Sequence, residues 1–177
     1  MADFAEALAL QIPRLRRYAR ALTHNAAWAD DLVQDTLERA LRRRWLFRLN
    51  SNLTAWLFTM LYRLYLNDLA RHRMVSIDDS ADMPEPAASG DVALQLDMQR
   101  ALAKLSHEHR AVIVLVGLEQ LSYKETAAVL DVPIGTVMSR LTRARERLRA
   151  LLADPPAQAA TDATDATDTQ AQLTRIK

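Results

Sequence analysis

The sequence predicts an all-α chain: two small helical domains joined by a flexible acidic linker, the C-terminal one carrying a helix-turn-helix. Three observations lead there. Glycine occurs three times in 177 residues, while alanine, leucine and arginine abound, which favours helix over sheet. Apolar residues recur every three or four positions through most of the chain, the period of a buried helix face. Residues 74–91 break that pattern within a segment, 74–97, that has six acids and no base, and such a stretch stays extended and flexible.

The length allows one domain or two small ones, and half of the residues are hydrophobic, enough for a core. The net charge of +1 hides a strong segregation of acids from bases. Cysteine is absent, which excludes a disulfide framework, a thiolate metal site and a cysteine nucleophile. It also fits a reducing cytoplasm, the expected location. No apolar run approaches the ~20 residues that span a bilayer, and the acidic start does not read as a signal peptide.

Residues 3–23 read as helix, with Phe4, Leu8, Ile12, Leu15, Ala19 and Leu22 on one face. Pro13 suits a first turn and not an interior, so the helix breaks or restarts there. Thr23-His24-Asn25 is a stop followed by a new cap. The next helix, 26–43, sets Leu32 or Val33, Thr36, Leu37, Ala40 and Leu41 toward a core. Its other side carries Asp30, Asp31, Gln34, Asp35 and Glu38, acids that cluster in the first half, where the helix dipole favours them. On charge alone, that face reads as a solvated helix end.

Residues 39–73 hold eight arginines against one acid, Asp68, together with six of the ten aromatic residues. Bases interleaved with rings suit single-stranded nucleic acid, where each stacked base is worth ~1–3 kcal/mol. Asn50-Ser51-Asn52 is a turn whose short polar side chains could hydrogen-bond an extruded base. Thr54 is the expected cap of a long helix reaching about residue 72. Trp56, Leu57, Leu61, Leu64 and Leu69 are expected in its core. Phe58, Tyr62 and Tyr65 lie partly off that face and divide evenly between core and nucleic acid.

Four segments follow from these breaks: 1–74, an acidic linker at 75–91, a second domain at 92–153, and a low-complexity tail at 154–177 expected to be disordered. Within the second domain a helix runs over 92–105, and Ser106 caps another over 107–118. Residues 121–149 carry the helix-turn-helix pattern. Ser122 and Glu125 form a capping box, Pro133 and Gly135 break the chain, and a second helix restarts near Thr136. Val137, Leu141, Ala144, Leu148 and Leu151 make its core stripe, leaving Ser139, Arg140, Thr142, Arg143 and Arg147 outside. Five arginines against one acid over residues 136–151 tilt the reading from a solvated hairpin to a major-groove reader.

Catalytic patterns do not emerge. His107 and His109 point to different sides of a helix and make a poor metal pair. There is no glycine-rich phosphate loop and no nucleophile elbow. No cofactor or metal is expected, and the chain does not read as an enzyme.

Three motifs in order resemble those of bacterial sigma factors. Ala29-Asp30-Asp31-Leu32-Val33-Gln34-Asp35-Thr36-Leu37 resembles the segment that binds core RNA polymerase. Leu53-Thr54-Ala55-Trp56-Leu57-Phe58-Thr59, with the trailing Arg71 and Arg73, resembles the promoter-melting segment. Leu121-Ser122-Tyr123 and the run from Gly135 through Arg145 look like the helix-turn-helix that reads the minus-thirty-five element. Two such domains and a linker are similar to the extracytoplasmic-function (ECF) class of the sigma-70 family, over about residues 4–152.

That resemblance implies roles. Asp31, Gln34, Asp35 and Glu38 would meet the coiled coil of the largest polymerase subunit, which overturns the solvated-face reading. Asn50, Ser51 and Asn52 would capture a flipped base of the single-stranded minus-ten element, with Trp56, Arg63, Asn67, Arg71 and Arg73 along that strand. Thr136, Met138, Ser139, Thr142 and Arg143 would face the duplex minus-thirty-five groove, with Arg140 and Arg147 near phosphates. Family members usually carry asparagine at the position of Arg63, often aspartate at that of Asn67, and a polar or basic residue at that of Met138. The implied partners are core RNA polymerase, promoter DNA and an anti-sigma factor. The alternative kept open is a helix-turn-helix repressor or activator acting as a dimer on duplex DNA.

Overall fold

The computed structural model describes residues 2–47, 52–75 and 90–153. Among these residues the chain is a series of helices joined by short turns, and no strand occurs. Helix α1 spans Ala2–Ala9, α2 Ile12–Thr23, α3 Ala26–Arg42 and α4 Leu53–Val75. After the linker come α5 Gly90–Ala103, α6 His107–Ile113, α7 Tyr123–Leu130 and α8 Ile134–Ala153. Most of the acidic linker and the tail beyond residue 153 lie outside the described residues.

The breaks fall where local chemistry demands them. Pro13 sits in the first turn of α2, where its missing N–H costs nothing. His24 ends α2 in the left-handed region at φ 54°, and its N–H donates to the Arg20 carbonyl. Asn25 then caps α3, its side-chain oxygen accepting from the Trp28 N–H at 2.9 Å. The expected cap at Thr54 is displaced by two residues. Asn52 Oδ1 accepts from the Ala55 N–H at 3.2 Å and so opens α4. Thr54 is drawn away because its hydroxyl donates to Gln11 Oε1 at 2.9 Å, tying α4 to the start of α2.

The helix expected over residues 107–118 is not uniform. It is α-helical only to Ile113, then widens into a π turn over Val114–Leu118. Glu119 N–H closes that turn on the Val114 carbonyl, five residues back. The wider turn brings the side chain of Glu119 inward against α2.

Helices α2, α3 and α4 pack on one another, and α8 packs on both α6 and α7. The two groups also meet directly, α4 against α7 and α2 against α6. One apolar cluster crosses this seam, joining Leu15, Leu22 and Leu61 to Val112, Leu115 and Val129. Phe58, Tyr62 and Tyr65 are all buried within it. These rings are therefore core, and the base-stacking role left open for them is ruled out in this arrangement. Tyr18 meets Phe58 edge-on at 5.0 Å, and Trp28 leans on Tyr65 at 5.7 Å.

Candidate nucleic-acid interface

Helix α3 buries Leu32, Val33, Thr36 and Ala40 and so turns Asp31, Gln34, Asp35 and Glu38 to solvent. Glu38 pairs with Arg42 one turn on. The row ends in exposed apolar groups: Leu41, which the sequence had placed toward the core, then Leu46 and Trp45, the last 77% exposed. The 3-10 turn Arg44–Leu46 holds Trp45 clear of the core.

Helix α4 buries Leu57, Leu61 and Leu64, and the same register exposes Arg63, Asn67 and Arg71 at successive turns. Arg71 lies 3.5 Å from Asp68. Trp56 is half-buried and packs on Phe47 at 5.3 Å, so only part of its ring faces solvent. Asn50, Ser51 and the side chain of Arg73 lie outside the described residues. Asn52 is exposed but committed. Beyond capping α4, its amide donates to Glu125 Oε1 across the seam.

Glu125 belongs to the expected capping box, which is fully formed: Ser122 Oγ accepts from the Glu125 N–H at 3.2 Å and the Glu125 carboxylate accepts from the Ser122 N–H at 2.9 Å. The Ser122 hydroxyl and N–H, then the Asn52 amide, stabilise the charged form and hold this carboxyl below its ordinary range. Asp131 ends α7 in the left-handed region at φ 55°. Pro133 opens α8 by accepting from the Thr136 and Val137 N–H groups.

Helix α8 buries Val137, Leu141 and Ala144 and exposes Met138, Ser139, Thr142, Arg143 and Arg147. Thr136 is half-buried. Arg140 departs from the expected outward position. It is half-buried and lies close enough to Tyr62 and Glu108 to act on both, because its register points back toward the seam. Burial raises the Tyr62 phenol to about 12, and the Arg140 charge only partly offsets this.

Two residues that sequence reasoning missed hold the seam. Glu119, with no exposed side-chain surface, accepts from Arg14 Nε and Arg17 Nε, each at 2.8 Å. Arg14 also donates to the Glu119 carbonyl at 2.7 Å. Arg110 is buried and donates to four backbone carbonyls: Leu22 at 2.8 Å, Leu102 at 2.9 Å, Ala103 at 3.0 Å and Leu105 at 2.8 Å. Leu22 belongs to the other half, so Arg110 locks the end of α2 to α6. The only sequence signal was a lone acid and a lone base beside apolar runs.

Residues 8–62 match the sigma2 domain of PhyR, and residues 95–148 match sigma-70 region 4. The chain is 38% identical over 146 residues to the ECF RNA polymerase sigma factor EcfG of Rhodopseudomonas palustris, covering 80% of each chain. The chain belongs to the ECF RNA polymerase sigma factors. It is also 34% identical to the ECF sigma factor SigM of Mycobacterium tuberculosis, over 78% of this chain and 71% of that one. Among solved structures it is similar to the sigma factor RpoE of Bartonella quintana, crystallised with the anti-sigma factor NepR. The TM-score there is 0.75 at 38% identity, over 86% of this chain and 98% of that one. CnrH, solved with the cytosolic domain of CnrY, gives 0.66 at 30% identity, over 86% and 89%. In this sigma factor the acidic row on α3 lies in the sigma2 match, and the basic row on α8 in the region 4 match.

Proposed function

We propose that this ECF sigma factor binds core RNA polymerase through Asp31, Gln34, Asp35 and Glu38, directs it to a two-part promoter and helps open the upstream edge of the bubble. The observation that carries the reading is the pair of solvent-exposed rows of opposite charge, acidic on α3 and basic on α8, in a chain of this family. Opposite charge suits two different partners, a protein surface for the first and phosphates for the second.

The division of labour follows the expected domains, 1–74 and 92–153, with 75–91 as the linker. Thr136, Met138, Ser139, Thr142 and Arg143 face the minus-thirty-five major groove, and Arg147 lies at phosphates. Asn50, Ser51 and Asn52 take an extruded minus-ten base, while Arg63, Asn67, Arg71 and Arg73 follow the strand. Capture of that base offsets an unstacking cost of roughly a few kcal/mol. Asn52 must leave Glu125 to take part, so promoter opening requires the two halves to part at that point. The chain itself performs no covalent step and works in the cytoplasm with no cofactor of its own. An anti-sigma factor controls it, as the RpoE relative solved with NepR supports. Co-elution with purified core polymerase tests the reading. The complex should bind promoter DNA at salt where the free chain does not, whereas tight specific binding by the free chain would favour a duplex-binding repressor.

A further inference from the structure

At its N-terminal end helix α8 carries exposed apolar groups on the flank of its buried stripe. Val137 and Leu141 are 0% and 2% exposed and serve the core. Ile134 and Met138 are 49% and 52% exposed, one turn apart on the same line of the helix. They lie in its N-terminal half, the part of a recognition helix that reaches base edges. Around them the polar readers are restricted. Ser139 Oγ donates to the Thr136 carbonyl and Thr142 Oγ1 donates to the Met138 carbonyl, both at 3.1 Å. Each hydroxyl has spent its proton on its own helix and faces a ligand as an acceptor only.

The major groove offers one apolar group, the C5 methyl of thymine. It also offers an amine donor on the adenine paired with that thymine. An apolar side chain beside an acceptor-only hydroxyl therefore matches an A·T pair. We propose that Ile134 and Met138 form an apolar pair that selects thymine methyls in the minus-thirty-five element, with Ser139 and Thr142 accepting from the adenine amines. This rests on the assignment of α8 to that element, and it adds Ile134 to the reading surface. Arg143, one turn beyond Ser139, keeps the guanidinium fork that suits guanine. Specificity then changes along the helix, A·T toward Ile134 and Met138 and G·C toward Arg143. Methionine suits the first task because its flexible thioether adapts to the methyl's position.

Deoxyuridine tests this without altering the protein, because it removes the methyl and keeps every hydrogen bond. Holoenzyme is assembled with the full chain, and its affinity is measured on a promoter whose minus-thirty-five thymines are replaced singly. Loss of one methyl contact should weaken binding roughly fourfold at one or two positions. Met138→Ala and Ile134→Ala should weaken binding to the thymine promoter and abolish its difference from the deoxyuridine one. Affinity that ignores every thymine replacement, while start-site choice stays specific, overturns this inference and leaves the sigma reading intact. A deoxyuridine penalty that persists in both variants also overturns it. If both variants bind the promoter as the unaltered chain does, the apolar pair serves a protein surface and the inference fails. If the holoenzyme selects no start site at all, both readings fall.

Discussion

The carboxylate of Glu119 accepts from Arg14 Nε at 2.8 Å across the seam between the two halves, and it does so with no exposed surface of its own. Arg17 approaches the other carboxylate oxygen at the same distance. A buried acid is tolerable only when paired and hydrogen-bonded, and here both oxygens and the backbone carbonyl are used. The Arg17 guanidinium is held above its ordinary range chiefly by its hydrogen bond to Glu119. Arg14 and Arg17 are one-third and about half exposed, so they regain water if the acid is lost. Glu119→Gln should therefore cost about 1–3 kcal/mol, the range for a lost charged hydrogen bond, not the larger cost of stranding a buried charge. Thermal unfolding should fall by several degrees, and small-angle scattering should report a larger radius. An unchanged melting curve would remove Glu119 from the seam's energetics.

His24 makes stability depend on pH. Burial first, and the neighbouring Arg110 charge second, lower it from 6.5 to about 4. Above 6.5 the imidazole is neutral whether folded or unfolded, so the full stability is present. Between 6.5 and about 4 the unfolded chain takes up a proton that the folded chain refuses, and stability declines as pH falls. The loss approaches on the order of 3 kcal/mol near pH 4. His24→Asn keeps a residue that tolerates the left-handed backbone and removes the titration. Denaturant midpoints measured across this window should decline less steeply for the variant, and equal slopes would show that His24 is not the source.

The acidic row on α3 is a surface feature, and its loss should be felt only by a partner. Asp35→Ala should leave helix content and melting temperature within the scatter of ordinary surface substitutions, about 0.5 kcal/mol. Holoenzyme assembly should weaken severalfold in competition against the unaltered chain. Undiminished assembly would place the polymerase contact elsewhere on the chain.

Arg143 is exposed on α8 with its guanidinium available to a base edge. If it reads guanine, Arg143→Ala should weaken minus-thirty-five use by about 1–3 kcal/mol and relax preference at one position. Arg147→Ala should instead weaken all sequences alike and reduce the salt slope by about one unit. A uniform loss from Arg143→Ala would make it a phosphate contact as well.

What the sequence made legible were the local signals. Pro13, Asn25, the Ser122–Glu125 box and Pro133 each fixed a helix boundary through chemistry contained within a few residues. The exposed rows on α3 and α8 were legible because the apolar stripes opposite them set the register. What escaped was decided by contacts distant in sequence. Thr54 has a good capping side chain, but Gln11 and Arg14 recruit it, and Asn52 caps instead. Phe58, Tyr62 and Tyr65 lie off the main stripe of α4, yet the packing of α2, α3 and α7 around that helix buries them. Arg140 belongs by charge with its arginine neighbours, and only the seam reveals that it turns toward Tyr62 and Glu108. Glu119 needed a π turn that no periodicity announces.

On the function proposed above, two separate surfaces, one on each half, choose a promoter together and only when polymerase holds them. In-vitro transcription with core polymerase on a randomised promoter library is the decisive test. Discrete start sites should appear, each preceded by two short elements at a fixed separation, and selection should be lost when about half a helical turn of DNA, roughly five base pairs, is inserted between them. Transcripts that start without paired elements, or that tolerate the insertion, would contradict it.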